Sequence, residues 1–306
     1  MVKEGSVMKI SLIQQEFKGD KEKTVSHTVK MIKEAKGELV VLQELHQSEY
    51  FCKCEDTKYF DYAESFNEDV EFWREVSEKQ NIVLVTSLFE KVMDGIYYNT
   101  AVVFDKGKIA GKYRKNHIPD DPGFYEKFYF TPGDEMEPID TSVGRLGVLV
   151  CWDQWYPEAA RIMALKGAEI LIYPTAIGWL VCPEDRLDEL CEKENTTEEK
   201  QKMLNAWISV QRGHAVANGV YVVAVNRVGC EKDPSGVLGG IEFWGRSFVF
   251  GPQGEEITMA DDVEKVIDVD IDLKSAAEVR KIWPFFRDRR IENYDCLLKR
   301  YCKGKK

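Results

Sequence analysis

The sequence predicts an α/β fold in which mixed sheets are covered by helices on their outer faces. Three observations carry this prediction. Short apolar runs alternate with segments of helical period, hairpin turns interrupt the alternation, and no linker or composition break divides the 306 residues. The chain is therefore read as a single domain over 1–306, with a C-terminal tail from about residue 290.

Residues 8–13 alternate and read as a strand, and 21–35 follow with Val25, Val29 and Ile32 at helical spacing. The run 39–42 is wholly apolar and ends in Gln43-Glu44, the pattern of a strand buried on both faces. Glu44 thus sits at a strand's C-terminal end, where α/β sheets bind their ligands. Residues 69–79 read as a helix, 82–89 as a strand, and 97–104 as another that turns at Asp105-Lys106-Gly107-Lys108 into a hairpin partner. Lys115 follows in a loop rich in Pro and Gly. Residues 145–150 form a buried strand that runs into Cys151, and Pro157 opens a helix over 158–166. A strand at 169–173, a helix at about 198–218 and a strand at 220–226 repeat the alternation. Strands at 247–250 and 266–271 flank the turn Gly251-Pro252-Gln253-Gly254. The stretch 179–200 is charged and weakly patterned, and reads as a solvated loop or as a lid over the site.

The net charge of -11 argues against nucleic acid as a partner and favours a neutral or cationic ligand through long-range steering. No segment looks like a signal peptide, and no run approaches the roughly 20 apolar residues of a membrane helix. A soluble, cytoplasmic protein is expected. The eight cysteines are scattered along a long acidic chain, so most are expected to be reduced thiols. Cys52 and Cys54 make only a CxC pair without a second pair at zinc spacing, so no metal site and no cofactor is expected.

A cysteine closing a buried strand is by default a small core hydrophobe. The residues after Cys151 change that reading, because Trp152, Asp153, Trp155, Tyr156 and Glu158 crowd polar and aromatic groups around the turn. A nucleophile at a strand-to-helix turn is exposed and close to backbone N–H groups. His117 and His214 suggest a Cys-His dyad, but one stands in a loop and the other in a helix crowded by Ala and Gly, and the dyad is set aside.

The segments CWDQWYPEAAR, YRKNHIPDDPGFYEKFYFTPGD, YPTAIG, QRGHAVANGVYVVAVNRVG and FWGRSFVFGPQGE resemble the carbon-nitrogen hydrolase (nitrilase) superfamily. More narrowly they are similar to its N-carbamoylputrescine amidase branch, and the resemblance runs from about residue 8 to about 290. It implies a four-layer α-β-β-α sandwich and a homo-oligomer built from dimers. It also implies a Glu, Lys, Cys triad, placed at Glu44 in VVLQEL, Lys115 in YRKNHIPD and Cys151 in LVCWDQW, with a second glutamate at Glu126. In that chemistry Glu44 takes the thiol proton and returns it to the leaving amine, while Lys115 and the backbone N–H of Trp152 meet the oxyanion. Without the resemblance, Glu44 would read as a capping carboxylate, Lys115 as part of a solvated basic patch, and Glu126 as half of a surface ion pair with Lys127.

The substrate implied has a ureido head, a four-carbon spacer and a terminal ammonium. It requires an apolar channel ending in a carboxylate. Candidate walls are Trp152, Tyr125 and Trp179, and candidate anionic ends are Asp120, Asp121 and Asp153. Where the branch usually reads PDGPGY this chain reads PDDPGF, so Asp121 is an added charge. The competing readings are another amidase of the superfamily, such as a carbamoyl-amino-acid or ω-amide hydrolase, and a catalytically silent binding or scaffold protein.

Overall fold

Every residue of Leu39–Leu42 is buried, and the strand divides its side chains between two cores. Leu39 and Val41 face one, Val40 and Leu42 the other, as the two-residue period of a strand requires. The computed structural model describes residues 7–183 and 196–304, and this strand lies near the centre of a seven-stranded sheet. In spatial order the sheet runs Lys265–Asp272, Val7–Gln14, Leu39–Leu42, Val83–Val85, Ile96–Asp105 and Leu88–Met93, with Lys108–Arg114 also on Ile96–Asp105. Val7–Gln14, Leu39–Leu42 and Val83–Val85 pair in parallel, while the outer pairings are antiparallel, so the sheet is mixed. The hairpin turns where it was expected. Lys106 and Gly107 both have positive φ there, as a two-residue turn matched to strand twist needs.

A second sheet of six strands runs Glu256–Met259, Phe248–Phe250, Tyr221–Val225, Ile170–Pro174, Gly144–Val148 and Ile139–Thr141. Its inner face meets the first sheet, where Ile10, Leu12 and Val85 pack in one cluster with Val148, Ile172 and Val249. On the far face of the first sheet, Val40, Leu42 and Leu84 are covered by Met31 and Ile32 of the helix Lys21–Glu34 and by Val70, Trp73 and Val76 of the helix Phe66–Gln80. Helical spacing aims those three residues at the sheet. Trp73 is fully buried, and removing such a side chain costs about 3–5 kcal/mol. Pro157–Leu165 and Thr197–Asn218 cover the second sheet. The layers are α-β-β-α.

The structure corrects several sequence readings. The expected strand 82–89 is two strands, because Thr86 and Ser87 break the run, and Ser87 spends its hydroxyl on the site described below. Of the stretch 179–200, the start belongs to the strand Gly178–Val181 and the end to the helix Thr197–Asn218. The lid reading falls largely on residues 184–195, which lie outside the described residues. Gly178–Val181 joins Gly240–Trp244 and Val228–Glu231 in a three-stranded sheet that the sequence reading missed. Cys52, Cys54, Cys151 and Cys230 are free thiols, whereas Cys296 is bonded to Cys302 and Cys182 is also disulfide-bonded. Residues 290–304 are exposed throughout. Among the described residues no helix is long and apolar enough to cross a membrane.

Candidate active site

The first sheet delivers Glu44 just past the end of Leu39–Leu42, and the second delivers Cys151 just past Gly144–Val148. Cys151 has φ +41°, a left-handed backbone that costs a side-chain-bearing residue roughly 1–2 kcal/mol. Asp153 holds the turn in place. Its backbone N–H donates to Val150 O at 3.0 Å, and its carboxylate accepts from Val150 N at 2.9 Å, His117 N at 3.0 Å and the Tyr113 hydroxyl at 2.8 Å. The Cys151 thiol is 4% exposed and points toward Ala176 O at 3.7 Å. Burial pushes this thiol up, the Glu44 charge adds to the effect, and Lys115 opposes it. At rest the sulfur therefore keeps its proton and needs a base.

Lys115 emerges at the end of Lys108–Arg114, its N–H continuing the ladder to Asn99 O at 2.9 Å. Its ammonium is buried and lies between two carboxylates, 2.8 Å from Glu44 Oε1 and 2.6 Å from Glu126 Oε2. Burial pulls the ammonium down, but the charges of Glu126 and Glu44 outweigh it and hold Lys115 well above its ordinary value. Two of its three hydrogens are engaged, which leaves one for an incoming oxygen. Glu44 Oε1 also accepts from Asn99 Nδ2 at 2.7 Å, while Glu44 Oε2 is buried and accepts no hydrogen bond. That free oxygen can receive a proton. Glu126 is fully buried too, and accepts from the Tyr50 hydroxyl at 2.7 Å. Burial lifts its carboxyl to about 7 against the pull of Lys115, with the Glu44 charge adding to the lift.

Glu44, Lys115 and Glu126 are thus brought into one hydrogen-bonded cluster, with Cys151 close enough to feel all three charges. A cavity of about 450 Å³ opens on Cys151, walled by Trp152, Trp155, Trp179 and Trp244, and Asp121 stands in its wall. The other substrate-binding candidates are not in that wall. Asp153 is committed to the turn, and its hydrogen bonds to Tyr113 and His117 consume it. Asp120 is about half exposed and sits 3.8 Å from Lys127. Tyr125 uses its backbone N–H on Cys52 O at 2.9 Å, where it starts the short helix Glu126–Tyr129 that aims Glu126 inward. His214 donates from Nε2 to the Gln154 carbonyl at 2.8 Å. Among the described residues no group of three or more His, Cys, Asp or Glu is arranged to hold a metal.

Three contributors escaped the sequence reading. Asn99 is a lone amide within the apolar strand Ile96–Asp105, Ser87 bridges Asn99 Oδ1 at 2.9 Å to Leu45 N at 3.0 Å, and Tyr50 holds Glu126. The first had a signal, a buried polar residue amid β-branched and aromatic neighbours. The other two had none.

Three comparisons bear on this arrangement. The carbon-nitrogen hydrolase family profile matches residues 9–281. A carbon-nitrogen hydrolase from Helicobacter pylori G27 superposes with a TM-score of 0.91 at 54% identity, over 97% of this chain and 100% of that one. Among characterised proteins, a citrullinase from Francisella tularensis is 36% identical over 96% of this chain and 99% of its own. An N-carbamoylputrescine amidase from Oryza sativa is 37% identical over 96% and 95%.

Proposed function

The chain belongs to the carbon-nitrogen hydrolase family, and from that premise we propose that it hydrolyses N-carbamoylputrescine to putrescine, carbon dioxide and ammonia. Glu44 Oε2 takes the thiol proton as Cys151 attacks the ureido carbon, and the carbonyl electrons move onto oxygen. The third hydrogen of Lys115 and the backbone N–H of Trp152 receive that oxyanion, each donor contributing roughly 2.7–4 kcal/mol. Collapse expels an amine, which recovers its proton from Glu44 and leaves a thiocarbamate on sulfur. Water activated by Glu44 then repeats the attack and frees the thiol, and the carbamic acid released breaks down to carbon dioxide and the remaining amine. Glu126 accepts from Lys115 at 2.6 Å and from the Tyr50 hydroxyl, so its part is to hold the ammonium.

The observation that carries the substrate is the wall of the cavity. Asp121 is its one charged side chain among the described residues, and the rest is apolar and indole-rich. An apolar wall suits a four-methylene spacer, and a carboxylate beside indole faces suits a terminal ammonium. Citrulline has the same ureido chain with a carboxylate added on the carbon that bears the amine, and that group requires a cation. Lys200 is the specific observation in favour of citrulline. Its ammonium stands 5.2 Å over the Trp179 ring, although it already faces Glu242 at 3.6 Å.

Ammonia release from N-carbamoylputrescine and from L-citrulline, measured side by side, tests the assignment. The proposed reading predicts the higher kcat/KM on N-carbamoylputrescine. A preference for citrulline would overturn the substrate while keeping the chemistry.

A further inference from the structure

Glu231 lies on Val228–Glu231, an element that carries none of the candidate catalytic residues, yet each of its two oxygens starts a chain of contacts that leads to one of the site's glutamates. Through Oε1 it binds Arg227 at 2.7 Å, and Arg227 is completely buried. The guanidinium donates onward to three carbonyls, Leu45 O at 2.9 Å, Ser48 O at 2.9 Å and Glu44 O at 3.2 Å. Leu45 has φ +46°, so the backbone immediately after Glu44 is left-handed at a residue that resists it, and Arg227 at its carbonyl and Ser87 at its N–H tie it down. Through Oε2 Glu231 accepts the Tyr50 N–H at 2.7 Å and the Lys53 ammonium at 3.0 Å. Tyr50 is fully buried, its ring packed against Phe124 and Phe243, and its hydroxyl donates to Glu126. One carboxylate thus reaches the main chain of Glu44 by one route and the side chain of Glu126 by the other.

We propose that Arg227, Glu231 and Tyr50 form a positioning network that holds both site carboxylates in place, with the Tyr50 hydroxyl keeping Glu126 ionised so that it can hold Lys115. The proposal rests on the reading of Glu44, Lys115 and Cys151 as catalytic. None of the three network residues is among the side chains that line the cavity, and their contacts run to Glu44 and Glu126, through which they act. The charged and titratable groups that face Glu126 are Lys115, Glu44 and the Tyr50 hydroxyl, with the thiols of Cys151 and Cys52 close enough to couple to it. Of these only Tyr50 donates to Glu126 without carrying a charge. Removing its hydroxyl withdraws one stabilising donor from the carboxylate and leaves the rest of the cluster in place.

The test is Tyr50→Phe, read by two pH profiles. One is kcat/KM on a hydrolysed ureido substrate. The other is the rate at which iodoacetamide alkylates Cys151, followed on the Cys151 peptide by mass spectrometry, which needs no substrate. The network predicts that the inflection near neutrality moves to higher pH by on the order of one unit in both profiles, with turnover recovering toward wild type at high pH. A uniform loss at every pH with the inflection unmoved would reduce Tyr50 to packing and overturn the proposal. Glu231→Gln adds a second arm, with kcat lower by about tenfold, KM unchanged and Cys151 alkylation slowed. A rise in KM with kcat intact would count against positioning, and if that variant does not fold, Tyr50→Phe decides alone. Wild-type protein inert toward all ureido substrates would defeat the substrate assignment, while the alkylation profile would still judge the network.

Discussion

The Lys115 ammonium donates to Glu126 across 2.6 Å, with neither residue exposed to solvent. A second carboxylate, Glu44, stands 2.8 Å from the same nitrogen, so the buried cation separates two anions that would otherwise repel. Glu44 is thereby left with one bonded oxygen and one free, and the free one is the proton acceptor in the proposed mechanism.

Lys115→Ala is expected to lower kcat by at least about a hundredfold, because an oxyanion donor is lost. The same change strands two buried carboxylates, so unfolding stability should fall by roughly 3–5 kcal/mol. Steady-state kinetics and thermal melts check both effects. A change confined to KM would show that Lys115 only binds.

Glu126 is lifted to about 7, so in the wild type kcat/KM should rise as pH increases through that value and the carboxyl ionises against Lys115. Glu126→Gln should erase that inflection. The sign for stability runs the other way. A carboxyl raised above its unfolded value binds its proton more tightly when folded, so its contribution to stability declines as pH climbs from 4.5 to about 7. Comparing melts of the wild type and Glu126→Gln across that window checks it.

Glu44→Gln keeps an oxygen for Asn99 and Lys115 but removes the base. Turnover should drop by about 10²–10⁴ while the melting temperature changes little. Near-normal turnover in this variant would show that another group deprotonates the thiol.

Asp121→Asn tests the anionic end of the cavity. KM for N-carbamoylputrescine should rise about tenfold with kcat nearly unchanged, and an uncharged N-carbamoyl alkylamine should notice nothing. Equal effects on both substrates would place Asp121 in the loop's structure.

How much could be read in advance depended on whether a residue's role lay in its own segment. Leu39–Leu42 is apolar at every position, so its double burial and the placement of Glu44 at its end were legible. Cys151 was legible for the same reason, from the buried strand before it and Pro157 after it. Asp153 misled, because a carboxylate two residues from the candidate nucleophile looks like a ligand group until Tyr113 and His117, distant in the chain, are found to occupy it. Val228–Glu231 and Gly240–Trp244 are short and broken by glycines, so period-two patterning had nothing to register. Arg227 and Tyr50 act through contacts made only after three sheets assemble, which no local pattern encodes.

The most direct test of covalent catalysis is mass spectrometry of the Cys151 peptide, quenched during turnover of N-carbamoylputrescine. The mechanism predicts a thiocarbamate adduct on that cysteine, and in Cys151→Ala the loss of both adduct and turnover. Continued turnover by Cys151→Ala at near the wild-type rate, with no adduct in the wild type, would contradict it.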